Sequence, residues 1–136
     1  MAEALLVAEA GARGVVLRVE SAGIGALVGR PADESAIALM TARGIDINAH
    51  RARQVTPALV SSFELVLAMD SEHQRAIETQ FPTARGRVHR LGRARKVDVP
   101  DPHRQGLAAF ERALDIIERG IDEMGPLLWG RAQRTA

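Results

Sequence analysis

The sequence predicts an α/β fold: a three-layer sandwich in which a small parallel sheet is flanked by helices. Two observations lead to this prediction. Segments of β-rich composition alternate with segments of helical composition along the chain, as a parallel sheet with crossover helices requires. The run over residues 65–69 is unbroken and apolar, as expected for a strand covered on both faces. With 136 residues, the chain has the size of one domain with its own core.

The first half of the chain contains three helix candidates, two of them with start signals, and one strand candidate. Asp33 is a residue type that caps helices, and Thr56-Pro57 joins a cap to a proline at the first helical position. In chain order we predict a helix over 1–12, a strand over 15–21, a glycine-bearing loop over 22–31, a helix from 33 through 43, an irregular stretch over 45–55 and a short helix over 56–63.

The second half adds two strands and two helices. The apolar strand ends in Asp70, and Ser71 is expected to cap a helix to about residue 80; residues 88–91 form a second short strand candidate. Apolar side chains at helical spacing predict a single long helix after residue 102: Phe110, Leu114, Ile117, Ile121, Met124 and Leu128. We expect Gly120 to weaken this last helix slightly.

Composition excludes several classes of function. With 18 basic and 17 acidic side chains, the net charge of +1 lacks the basic excess of a nucleic-acid-binding protein. The basic residues between positions 85 and 96 are interpreted as a solvated loop. No apolar run approaches the roughly 20 residues of a membrane-spanning helix. The sequence contains no cysteine, which excludes disulfides and fits a cytoplasmic protein.

Asp101 is the strongest candidate for a chemical role. It stands between Pro100 and Pro102, and the two prolines restrict the backbone on both sides of the carboxylate. A carboxylate held at one defined point suits a general acid. The alternative is a helix N-cap with turn prolines.

Two other polar residues are candidates with open alternatives. Asp70 follows the apolar strand, where sites of α/β proteins gather, or it forms the turn that ends the strand. His50 lies in a polar stretch, where it orders a neighbouring loop or is exposed to solvent. The remaining histidines lack the spacing of metal ligands, and the glycines after residue 21 lack the pattern of a nucleotide-binding loop. No metal or cofactor is implied.

An ordered set of motifs resembles the low-molecular-weight protein-tyrosine phosphatase family. Residues 22–29 resemble its bacterial subgroup, which works with exopolysaccharide tyrosine autokinases. The matching motifs are Met1-Ala2-Glu3-Ala4-Leu5-Leu6, Ser21-Ala22-Gly23, Gly29-Arg30-Pro31-Ala32-Asp33, residues 50–54, residues 65–70 and Asp101-Pro102.

The sequence departs from this family at its beginning. Family members start with a hydrophobic strand and a Cys-x5-Arg-Ser/Thr loop that leads directly into the helix starting here at Met1. The resemblance therefore implies a single phosphatase-like domain over residues 1–136, N-terminally truncated relative to the family, whose first, central strand is missing. Three explanations fit this missing N-terminal part: a start site assigned too late, a deliberate truncation, or natural loss of the loop. Unpaired inner strand edges would invite self-association.

The resemblance also implies roles for individual residues. Asp101 matches the general acid and base, which protonates the leaving tyrosyl oxygen and then activates water. Ser21, His50 and Asp70 match positions that brace the phosphate loop. Leu27 matches a variable wall of the substrate pocket, and His103 stands where the family usually has an aromatic residue. The nucleophilic cysteine has no counterpart in these 136 residues.

The function implied is hydrolysis of phosphotyrosine in proteins, with a bacterial tyrosine autokinase as a partner. Because the chain lacks the cysteine, we expect it to be inactive as it stands. The alternative is a phosphatase-like binding module, without chemistry, that docks on a tyrosine kinase or its tail. A third relative on the same fold, arsenate reductase, needs several redox cysteines, and their absence argues against it.

Overall fold

The computed structural model describes the backbone of residues 1–134 and the side chains of residues 1–130. Helices and two short strands follow one another along the chain, with 3₁₀ turns at Pro82–Ala84 and Arg93–Arg95. The elements are α1 (Ala2–Ala12), α2 (Glu34–Ala42), α3 (Pro57–Ser61), β1 (Val66–Ala68), α4 (Ser71–Gln80), β2 (Val88–Arg90), α5 (Leu107–Glu123) and α6 (Gly125–Arg134).

The sheet consists of β1 and β2, which pair in parallel with Val66 opposite Val88 and Ala68 opposite Arg90. Helix α4 is the crossover between the two strands, as parallel pairing requires. Apolar side chains are buried on both sides of this sheet. The main cluster joins residues of α1, α2, α5 and α6, and the second cluster contains Val60, Ala68, Ile77, Ala84 and Val88. The predicted α/β class, a small parallel sheet flanked by helices, is confirmed.

The predicted strand over residues 15–21 is wrong. Val15, Leu17 and Val19 are half-buried against the main cluster, whereas Val16 is 97% exposed. The side chains therefore alternate as in a strand, but the segment forms no ladder with any neighbour in the described part of the chain. Composition predicted the alternating burial correctly, whereas pairing depends on a partner that the local sequence does not specify.

Helix starts follow the capping rules with one correction. Asp33 accepts a hydrogen bond from the Ser35 N–H, and Thr56 accepts one from the Leu59 N–H, so both predicted caps are confirmed. Ser71 was the wrong cap for α4: Asp70 has the extended backbone of a cap, and its Oδ1 accepts from the His73 N–H at 2.7 Å. Asp70 thus satisfies an amide that the helix itself leaves unpaired.

The last predicted helix is two helices. Helix α5 ends at Glu123 and α6 begins at Gly125, which precedes Pro126. Proline removes a backbone donor and restricts its predecessor, so the helical hydrogen bonds break here. The apolar stripe continues across the break, and every one of its six members is buried: Phe110, Leu114, Ile117, Ile121, Met124 and Leu128.

Gly120 has a packing role that the sequence did not reveal. A Cβ atom at this position would lie 2.8 Å from the Leu91 carbonyl oxygen and 2.9 Å from the Leu91 Cγ. The absent side chain lets α5 approach the segment that follows β2. Gly120 therefore has a packing role in addition to its low helix propensity.

We expect Gly120→Ala to lower the free energy of unfolding by about 1–3 kcal/mol, because the methyl group overpacks this contact. Gly11→Ala in α1 is the matched control, since nothing lies within 4 Å of its Cβ position. That substitution should stabilise the protein by up to about 1 kcal/mol. Urea denaturation of both variants measures the difference; stabilisation by Gly120→Ala would contradict the close approach.

Candidate active-site groove

A large open groove runs between the extended segment over residues 16–20 and strand β1. Its volume is about 1390 Å³. Residues from the start of α1 line it together with the extended segment, β1 and Asp101. We call this feature the central groove. It brings residues that are far apart in sequence to one surface.

Asp101 lines the central groove and is exposed. Its Oδ1 accepts a hydrogen bond from the His103 N–H at 3.0 Å, and its carbonyl accepts one from the Gln105 amide at 3.1 Å. Helix α5 begins only at Leu107 and its N-cap is Gly106. The N-cap alternative for Asp101 is therefore wrong: the carboxylate closes a local turn and remains accessible for proton transfer.

Ser21 and His50 meet at Glu3, in the first turn of α1. The Ser21 hydroxyl donates to Glu3 Oε2, and His50 Nδ1 lies 3.9 Å from the same oxygen. All three residues line the central groove with Asp101. The sequence did not predict the bridging role of Glu3, because a glutamate in a first helical turn is ordinarily explained by the helix dipole.

The other three candidates lie elsewhere. Asp70 caps α4, and its Oδ1 is 3.5 Å from His73 Nδ1. Leu27 is 54% exposed in the loop before α2, and His103 is exposed beside Asp101. None of the three is among the residues that line the central groove.

Asp98 anchors the segment that carries Asp101. Its Oδ1 accepts from Arg90 Nη1 at 2.8 Å and from the Ser71 N–H at 3.1 Å, which joins the end of β2 to the start of α4. The hydrogen bond from Arg90, with help from Ser71, lowers the pKa of Asp98 below its usual 3.8. A lowered folded-state pKa stabilises the fold above pH 3.8, and this contribution is lost as the pH falls through the folded value.

We expect Asp98→Asn to unfold at a lower urea concentration than the parent protein at pH 7, because the charge-assisted bond to Arg90 is weakened. The difference in urea midpoint between the variant and the parent should shrink as the pH falls below 3.8, because the parent then loses the charge of Asp98 as well. Denaturation midpoints across this pH range test the expectation. A difference that is constant with pH would contradict it.

The described side chains contain no group of three or more histidine, aspartate or glutamate residues placed to hold a metal ion. Separately, no helix in the described part of the chain has the length and apolar composition needed to cross a bilayer.

The sequence and the fold match proteins of known family. Residues 1–128 match the family model of the low molecular weight phosphotyrosine protein phosphatase. The chain is 49% identical over 108 residues to the probable low molecular weight protein-tyrosine-phosphatase EpsP of Ralstonia nicotianae, covering 79% of this chain and 74% of the relative. It is 35% identical over 113 residues to the phosphatase Wzb of Escherichia coli K12, covering 82% and 77% respectively.

A solved structure gives the same result. Vibrio vulnificus Wzb in complex with benzylphosphonate superposes with a TM-score of 0.80 at 30% identity, covering 98% of this chain and 87% of the other. The α/β fold and these matches define a phosphatase of the hydrolase class. The chain belongs to the low-molecular-weight protein-tyrosine phosphatase family, as the sequence motifs indicated.

Proposed function

We propose that these 136 residues supply the fold and the general acid of a phosphotyrosine phosphatase but do not complete the reaction by themselves. The observation that carries this proposal is the combination of an exposed Asp101 at the central groove with a sequence that contains no cysteine. The residues form one phosphatase-like domain without the family's first strand and phosphate loop, whatever precedes them in the gene.

In the proposed reaction, a cysteine thiolate from the phosphate loop attacks phosphorus and the bond to the tyrosyl oxygen breaks. Asp101 gives its proton to that leaving oxygen. In the second step, the Asp101 carboxylate takes a proton from water as the water displaces the sulfur from phosphorus. The positive end of the 11-residue helix α1 favours the phosphoryl charge.

The remaining candidates are proposed as supporting residues. The hydroxyl of Ser21 and the ring of His50, both directed at Glu3, would brace the phosphate loop at the start of α1. Asp70 would support that loop from the end of β1. Leu27 and His103 are proposed as walls of the pocket that receives the tyrosine ring; their exposure leaves both side chains available to a substrate.

The substrate proposed is a phosphotyrosine protein in the cytoplasm, such as a bacterial tyrosine autokinase. Support comes from the relatives named as protein-tyrosine phosphatases, including EpsP at 49% identity.

Steady-state hydrolysis of p-nitrophenyl phosphate by the 136-residue protein, in the presence of EDTA, tests the inactivity. We expect no measurable release of nitrophenol, because general acid catalysis alone contributes about 10²–10⁴-fold, far less than the acceleration that phosphate monoester hydrolysis needs. Turnover that rises in proportion to protein concentration and survives gel filtration with the protein would refute this proposal.

The missing cysteine favours a second candidate, a phosphatase-like module that binds a tyrosine kinase or its tyrosine-rich tail. Calorimetric titration with one tyrosine-rich peptide, phosphorylated and unphosphorylated, separates the two. Saturable binding without any hydrolysis supports the module. If neither peptide binds, the phosphatase function is the better supported of the two candidates.

A further inference from the structure

The loop over residues 23–30 is held at both ends by backbone hydrogen bonds to the segment that follows His50. At one end, the Gly23 N–H donates to the Arg53 carbonyl at 2.9 Å. At the other end, the Gly29 N–H donates to the Ala52 carbonyl at 2.8 Å. The two ends of the loop are therefore fixed, and the position of its middle depends on other contacts.

The side-chain amide of Gln54 holds the middle of this loop. Its Oε1 accepts a hydrogen bond from the Ala26 N–H at 3.0 Å, and its Nε2 donates to the Ile24 carbonyl. One amide group thus satisfies a donor and an acceptor of the loop, as the backbone of a neighbouring strand would. Gln54 is the last residue of the family motif over residues 50–54, and the motif therefore braces the loop with both its backbone and a side chain.

The braced loop carries two apolar side chains at its surface. Leu27 is 54% exposed and Val28 is 68% exposed, and neither belongs to an apolar cluster of the described residues. The loop starts at the central groove, which Gly23, Ile24 and Gly25 help to line. Bracing a loop before a ligand arrives removes part of the entropy cost of ordering it on binding. Leu27 is therefore preorganised for contact beside the candidate site.

We propose that Gln54 is a positioning residue for substrate affinity: it holds Leu27 where that side chain contacts the aromatic ring of the phosphate ester. This role of Gln54 rests on the proposed function, in which Leu27 is a wall of the pocket. Gln54 acts on the ring through Leu27 and has no part in bond breaking. Removing its amide should therefore weaken binding of the ring and leave the chemical step unchanged.

Amide hydrogen exchange in the 136-residue protein tests the brace without any catalysis. Gln54→Leu replaces the amide by an apolar side chain of similar size. It should speed exchange of the Ala26 N–H at least about tenfold, because this amide loses its acceptor. The N–H groups of Gly23 and Gly29 keep their backbone acceptors, so their exchange should change by less than about twofold. Equal protection of Ala26 in the variant and the parent would overturn the proposal.

The kinetic test uses the chain with the family's first strand and Cys-x5-Arg-Ser/Thr loop joined ahead of Met1. For p-nitrophenyl phosphate, Gln54→Leu should raise KM about fivefold and keep kcat within about twofold. The inhibition constant of benzylphosphonate, which has an aromatic ring, should rise by the same factor, whereas that of inorganic phosphate should stay within about twofold. An equal rise for both inhibitors would overturn the proposal, because the variant would then disturb the phosphate loop.

A double-mutant cycle shows whether Gln54 acts through Leu27. Leu27→Ala alone should raise the inhibition constant of benzylphosphonate about fivefold, because the ring loses an apolar contact. Adding Gln54→Leu to that variant should change the constant by less than about twofold, since the side chain that Gln54 positions is already gone. Fully additive effects would overturn the proposal, because Gln54 would then act on the ligand by another route.

Gln74→Leu is the matched control. The Gln74 amide donates to the Val88 carbonyl at 3.4 Å and to Glu78 Oε1 at 3.0 Å, and none of these groups belongs to the loop. The control should leave kcat, KM and both inhibition constants within about twofold of the parent. An equal loss of benzylphosphonate affinity in the Gln54 and Gln74 variants would overturn the proposal.

Failure of the proposed function and failure of this role for Gln54 give different results. An extended parent that folds and hydrolyses no ester refutes the proposed function, and the role of Gln54 with it. An active parent whose Gln54→Leu variant keeps its affinity for benzylphosphonate refutes only the role of Gln54.

Discussion

Fusing a hydrophobic strand and a Cys-x5-Arg-Ser/Thr loop directly ahead of Met1 is expected to turn the 136-residue chain into a phosphatase. The strand would occupy the central groove between residues 16–20 and β1, and the loop would meet the start of α1 near Asp101. We expect kcat/KM for p-nitrophenyl phosphate to rise by on the order of 10⁴-fold or more, because a covalent route replaces unassisted hydrolysis.

The control is the same fusion with serine in place of the introduced cysteine, which keeps the added strand but removes the thiolate. It should fold as stably as the cysteine version and remain inactive. If the cysteine version folds, as shown by a cooperative melt, and still fails to hydrolyse the ester, then the central groove and Asp101 do not form part of a catalytic site.

Replacing Asp101 by asparagine in the active fusion has the second largest expected effect. We expect kcat to fall by about 10²–10⁴-fold, because asparagine cannot donate the proton that the leaving oxygen needs. The loss should be larger for phenyl phosphate than for p-nitrophenyl phosphate, since nitrophenolate is the more stable leaving group and needs less assistance. Measuring kcat with both esters checks the assignment.

Asp122→Asn on α5 is the matched control, because Asp122 is exposed and does not line the groove. Its kcat should stay within about twofold of the parent. A loss for Asp101→Asn that is the same with both esters would show that the residue positions the segment and does not transfer a proton.

Local signals predicted most of the fold. The caps at Asp33 and Thr56 and the apolar run that contains β1 all depend on residues close in sequence. One error and one missed role depend on distant contacts, whereas the cap of α4 and the helix break at Pro126 were misjudged at positions that carry local signals. The segment over residues 15–21 has strand composition without a paired neighbour, and Gly120 matters because of Leu91, 29 positions earlier in the printed sequence. Neither relation leaves a local pattern.

The residues of the candidate site could likewise be predicted only where the signal is local. Asp101 stands out because two prolines flank it, a signal contained in three successive residues. Glu3 had no such signal, since its bridging role depends on Ser21 and His50 arriving from two other parts of the chain. Family motifs located those two residues, but only the folded arrangement joins them through one carboxylate.

The proposed function assigns the general acid to Asp101 and no nucleophile to these 136 residues, which contain no cysteine. Its most direct test is to incubate the 136-residue protein with radiolabelled phosphotyrosine peptide, quench, and look for phosphate covalently bound to the protein. We expect none, in contrast to the cysteine fusion, which should be labelled transiently. Stoichiometric phosphate on any residue of the unextended chain would refute the proposed function, because it would reveal a nucleophile other than cysteine.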